Sequence, residues 1–138
     1  MNRFWVGQLI PVIVWAMISA EFNQHIRFAL QHLFEINVLD KGPAQALKPW
    51  LTQISQLADL PAGQRLHQVL LHAIERMKPA ELIDHVLPRH RSYLILKHRY
   101  IDGLPIQQLE IEFNISSRQF RRENHKAVEE LVLLLWEL

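Results

Sequence analysis

The sequence predicts an all-α protein, a multi-helix bundle that ends in a C-terminal helix-turn-helix. Three observations carry that expectation. Apolar residues recur at spacings of three and four in one stretch after another, the period of a helix that turns one face to a core. No stretch of any length alternates apolar and polar residues as a half-buried strand would. Glycine is scarce, four in 138 residues, so few positions can supply the tight turns of an antiparallel sheet.

Residues 4–20 come first and are strongly apolar, preceded by Arg3 and interrupted by Gln8 and Pro11. At about 17 residues the segment is at the low end for a membrane span. Ile18 is a poor fit to the small residues of a cleavage site. Three readings stay open for 1–20. It is an apolar segment packed on the domain or a partner, a signal or membrane anchor that brings membrane contact through 4–20, or translated sequence ahead of the true domain. Residues 21–88 form a helical region and 89–138 the helix-turn-helix region.

Within 21–39, Phe22, Ile26, Ala29, Leu30, Leu33 and Phe34 mark one amphipathic helix. Gly42 then offers a C-cap and Pro43 bars continuation. A short helix is expected over 44–58, interrupted near Pro49, and a loop over 59–63. The helical pattern returns over 64–77 with Leu66, Val69, Leu70, Ala73, Ile74 and Met77. Pro79 and Pro88 bracket a short helix or turn near 81–86. The next helix is expected over 89–101, with Tyr93, Leu96, Tyr100 and Ile101 inward.

Asp102-Gly103 is a turn signal. Pro105 suits the first turn of a short helix over 105–113, on which Ile106, Leu109 and Phe113 face inward. Asn114-Ile115 forms the next turn. Ser116 followed by Gln119 has the spacing of a capping box. The last helix then buries Phe120, Ala127, Val128, Leu131, Leu134 and Leu135.

The formal net charge is +1, but the charge is unevenly spread. Residues 89–126 hold eight Lys or Arg against four Asp or Glu, while 1–88 balance and 127–138 carry three acids and no base. A basic block in a near-neutral chain is the electrostatic footprint of nucleic-acid binding, although a solvated helix surface can look the same. On the last helix, Ser117, Arg118, Arg121, Arg122 and His125 share a polar face. Arginine bonds guanine bidentately or a phosphate, and the free amides of a helix start favour phosphate. On the preceding helix, Arg91, Lys97 and Arg99, with His90 and His98, are placed to clamp a nucleic-acid backbone.

Residues 93–131 resemble the region-4 helix-turn-helix of bacterial sigma-70-type factors. The shared pattern is Arg-Tyr-Ile-Asp-Gly at 99–103, a short helix, Ile115-Ser116, and Ala127 followed by Leu131. Ser116-Ser-Arg-Gln-Phe-Arg-Arg-Glu is similar to a variant found in bacterial regulators with a helical region in front. The resemblance implies double-stranded DNA as ligand. Ser117, Arg118, Arg121 and Arg122 then stand at the contacting positions, and RNA polymerase or another regulatory protein is a further partner. Where the family usually has a small residue, this chain has Glu110, which implies a shifted packing or a wider helix crossing. No region-2 motif lies upstream, so a regulator or accessory module is implied rather than a complete sigma factor.

Other chemistry finds little footing. His25 and His32 are seven apart and His67 and His72 five apart, neither the four-residue spacing of a helical zinc pair. There is no Gly-rich phosphate loop and no nucleophile elbow. No catalytic residue, metal site or cofactor is therefore expected. The absence of cysteine removes disulfides and thiolate chemistry and fits a reducing cytoplasm. The rival reading is a helical protein-interaction adaptor without DNA binding. The C-terminal Leu131-Val-Leu-Leu-Leu-Trp-Glu-Leu138 is apolar nearly all round and must be covered, by this chain or by a second copy in a homodimer.

Overall fold

The structure is a computed structural model and describes residues 12–54, 59–79 and 88–137. All regular structure among them is helical. The expected elements at 1–11 and near 81–86 lie outside the described residues.

Helix α1 spans Val12–Gln31 without a break at residue 20. It stops earlier than the apolar stripe suggests. A turn at 32–34 follows, closed by His32 N–H to Ala29 O and Glu35 N–H to His32 O. The chain then re-enters a helix, α2, over Ile36–Lys41. The reason is geometric. Leu33 and Leu39 are both buried, yet six residues along a straight helix would put them about 120° apart. The turn brings both inward and moves Phe34, expected on the stripe, to the surface at 59% exposure.

Two one-turn helices come next, α3 at Pro43–Ala46 and α4 at Lys48–Leu51. The break falls at Leu47, ahead of the expected interruption. Pro49 sits in the first turn of α4, where its missing N–H costs nothing. Helix α5, Ala62–Arg76, buries the predicted Leu66, Val69, Leu70, Ala73 and Ile74. Pro61 cannot cap it, so Asp40 of α2 accepts the Gly63 amide at 2.9 Å. A Cβ at Gly63 would lie 2.7 Å from the Asp40 Cβ, so only glycine allows this close approach.

Helix α6, Pro88–Leu96, continues as one π-helical turn over Lys97–Ile101. Arg91 through Leu96 are buried in succession, Ile95 fully, which marks a helix enclosed on every side. Helices α7, Ile106–Phe113, and α8, Ser117–Trp136, complete the chain. Pro105 precedes α7 in extended conformation rather than joining its first turn.

One hydrophobic cluster unites the two halves, running from Phe22 to Leu135 and including Trp50, Ile74, Leu96 and Phe120. The broadest helix contacts are α2 on α5 and α6 on α8, and α8 also lies against α1 and α5. Phe22 is packed edge-on by Trp50 and by Trp136, with ring centroids 5.0 Å apart in both pairs. The C-terminal apolar run is thus covered in part by this chain. Leu131 and Leu135 are buried, while Leu133 stays 63% exposed. Among the described residues no helix is long and apolar enough to cross a membrane.

Candidate nucleic-acid interface

The C-terminal arrangement is built from local signals. Gly103 turns the chain after α6 with φ +71, a conformation that side-chain-bearing residues resist. At the end of α7, Asn114 takes the left-handed conformation, φ 56 and ψ 51. The Ile115 amide bonds the Glu110 carbonyl and the Asn114 amide bonds that of Ile111. This pair of bonds is a Schellman stop, with asparagine in the place glycine usually takes. Ser116 follows in extended conformation, and its Oγ accepts the Gln119 amide at 3.1 Å. So α8 starts where the Ser116 signal predicts, two residues after α7 has been stopped.

Phe120 is fully buried and fixes the rotation of α8. Helical spacing then carries Arg118, Arg121, Arg122, His125 and Lys126 to the opposite side, where all five are exposed. Among the described residues, no carboxylate lies within ion-pairing distance of Arg118, Arg121, Arg122 or Lys126. Lys126 was not singled out as a contact residue from the sequence, although its spacing of four from Arg122 is the signal that places it on this face.

The middle of α8 is tied down by three consecutive polar side chains, each reaching a different earlier segment. Glu123 accepts from Arg91 Nε of α6 at 2.6 Å. Asn124 and the Tyr100 hydroxyl of the π turn lie 3.3 to 3.4 Å apart. His125 Nδ1 lies 3.0 Å from Arg27 Nη2 of α1. A guanidinium can only donate, so Nδ1 accepts, and the ring proton on Nε2 is donated to Glu129 at 2.9 Å.

These contacts revise two expected roles. Arg91, expected on a phosphate, is only 9% exposed and is held by Glu123. A guanidinium enclosed between helices cannot also reach a surface ligand. His125 faces solvent as expected, but both of its ring nitrogens are occupied, which makes it a tether between α8 and α1.

The remaining clamp residues are partly engaged. Lys97 Nζ is 3.4 Å and His98 Nδ1 2.9 Å from Asp102 Oδ2. The Asp102 carboxyl is held below its usual range by the His98 hydrogen bond first and by Lys97 after it, against an opposing effect of burial. Arg99 lies over the Tyr100 ring at 5.1 Å and near the Phe120 ring at 5.9 Å, so its charge rests on aromatic faces. Ser117 opens α8 with its hydroxyl donated to Glu110 Oε2 at 3.1 Å. Glu110, the residue that departs from the sigma pattern, is therefore a polar link across the turn.

Of the histidines outside this face, His67 is held by local contacts. His67 Nδ1 is 2.6 Å from the Leu33 carbonyl and its ring packs on Phe34. Among the described residues no three His, Asp or Glu side chains converge as metal ligands. Compared with family models, with curated proteins and with solved structures, the chain returns no match.

Proposed function

We propose that the protein is a DNA-binding transcription regulator whose C-terminal helix-turn-helix enters the major groove through the start of α8. One observation supports this above the others. The start of α8, residues 117–122, exposes Arg118, Arg121 and Arg122 with no carboxylate in ion-pairing distance among the described residues, and it holds no acid of its own.

That placement runs against the helix's own electrostatics. The N-terminal end of a helix is partially positive, so a cation there costs about 0.3 to 1 kcal/mol and a carboxylate would stabilise. At the other end Glu137 caps α8 and the last turn holds no base, which is again the unfavourable sense. A helix arranged for its own stability would reverse the signs. Glu110 of α7 already sets one carboxylate beside Ser117, and an anionic ligand over Arg118, Arg121 and Arg122 gives the excess of cations at this end a physical reason.

A major groove admits a helix, and the N-terminal residues of the second helix of the motif face base edges. Ser117 and Arg118 take those positions. Arg121, Arg122 and Lys126, one and two turns further on, reach base edges or flanking phosphates. Anchored by Glu123, Asn124 and His125, α8 is presented as a rigid rod rather than a loose arm. The resemblance to sigma region 4 points the same way, and RNA polymerase or another regulatory protein is the partner it suggests.

The test is duplex binding at low salt by the wild type and by an Arg118→Ala/Arg121→Ala/Arg122→Ala variant. The three side chains are exposed, so the variant is expected to fold, with an unchanged thermal midpoint as the control. Loss of at least about 100-fold in affinity is expected if each arginine contributes about 1 kcal/mol or more. Equal binding by the two proteins would overturn the assignment, and so would no binding by either.

A further inference from the structure

We propose that the Glu110–Ser117 pair is a specificity device that makes the start of α8 read an exocyclic amino group, on adenine or cytosine, beside guanines taken by the arginines. The inference rests on the DNA reading above and adds what the interface selects.

The argument is an inventory of protons. A serine hydroxyl has one hydrogen to donate and two lone pairs to accept with. In Ser117 the hydrogen is committed, since its partner Glu110 Oε2 at 3.1 Å belongs to a carboxylate, which only accepts. What the exposed Ser117 can still offer a ligand is acceptance. Glu110 is half-buried beside it, and its remaining lone pairs are acceptors too. The first point of the reading face is therefore acceptor-only and negatively charged. One residue on, Arg118 is donor-only, as are Arg121 and Arg122.

The major groove presents matching chemistry. Adenine N6 and cytosine N4 are its amino donors, and guanine shows two acceptors, O6 and N7. An acceptor-only pair favours an adenine or a cytosine and disfavours a guanine, whose O6 would meet lone pairs and a carboxylate. It also keeps phosphate away from this one point, so the helix start is turned from a general phosphate seat into a base-reading position. A small residue in place of Glu110 would leave the Ser117 hydroxyl free to donate, and the preference would be lost.

The experiment is selection from a randomised duplex library with the full chain, comparing the wild type with Glu110→Gln and Ser117→Ala. For the wild type we expect guanine preferences next to one position at which adenine or cytosine exceeds guanine by about five- to tenfold. Ser117→Ala should lose that preference, Glu110→Gln should weaken it because its amide N–H can turn to the groove, and both should keep the guanine positions. Glu110→Gln should also bind pooled duplexes somewhat more tightly, since a negative charge has gone and the amide can donate. Binding by the wild type without such a position, or a preference unchanged in both variants, overturns the specificity device and leaves DNA binding standing. No selection of duplex by any of the three proteins overturns both.

Discussion

Arg91 meets Glu123 where water scarcely enters, with the two side chains 10% and 18% exposed. Removing one partner of an enclosed pair leaves the other charge without compensation, a loss of about 3 to 5 kcal/mol in a buried setting. Arg91→Ala should therefore destabilise the protein by about 3 kcal/mol in urea unfolding, near the lower end because Glu123 retains some exposure. Arg91→Met with Glu123→Leu should recover most of that. A loss under about 0.5 kcal/mol, the size of an ordinary surface change, would show that the pair is not holding α8 to α6.

Asp102 gives a prediction in pH. Its folded value lies below that of the unfolded chain, near 3.9. Its contribution to stability is thus full above about pH 4 and is lost as pH falls through the lower folded value. Asp102→Asn should lower stability near pH 6 and lose less than the wild type on acidification below pH 4. Parallel stability curves for the two proteins would contradict this. The Asp102 side chain is 35% exposed, so solvent screening keeps the effect small.

At the scale of elements, the turn between α7 and α8 depends on one residue in an uncommon conformation. Asn114 is left-handed, at a cost of about 1 to 2 kcal/mol for residues with an ordinary Cβ and less for asparagine. Asn114→Ala should lower the urea midpoint by the equivalent of about 1 kcal/mol, whereas Asn114→Gly should leave it equal or higher. Indistinguishable midpoints for the two variants would mean that the Schellman stop does not set the turn.

Elements like this were readable in the sequence because their signals are local. Ser116 with Gln119, Asp102-Gly103 and the stripe of α5 each declare themselves within one turn of chain. Three features were not readable, for one shared reason. The turn at 32–34 exists because Leu33 and Leu39 must both reach the core. The π turn over Lys97–Ile101 seats Tyr100 against Asn124, 24 residues away. The Asp40 cap on α5 joins residues 23 apart. Each is settled by tertiary packing, which apolar periodicity cannot register. The same holds for the candidate interface. Spacing along α8 placed Arg118, Arg121 and Arg122 together on its outer face. Only the neighbouring helices show that Arg91 is enclosed and that His125 is tethered to Arg27.

For the whole molecule, the consequence is that α8 belongs to both the core and the candidate reading head. Its inner stripe, Phe120 to Leu135, shares one hydrophobic cluster with α1, α5 and α6. Three polar ties hold its centre, while its outer face keeps a cluster of arginines with no ion-pair partner among the described residues. Stability and the proposed DNA binding should therefore be separable by substitution, with inner and tether residues moving one and outer arginines the other.

The central claim, that the exposed arginines of α8 engage duplex DNA, is tested most directly by the salt dependence of binding. The logarithm of the binding constant falls with the logarithm of salt at a slope of about −0.9 per phosphate neutralised. Wild-type protein should give a steep slope at low ionic strength. The Arg118→Ala/Arg121→Ala/Arg122→Ala variant should bind more weakly with a slope shallower by about 1 to 3, depending on how many of the three rest on phosphate rather than on bases. No binding near 50 mM salt, or wild-type affinity and slope retained in the variant, would contradict the claim.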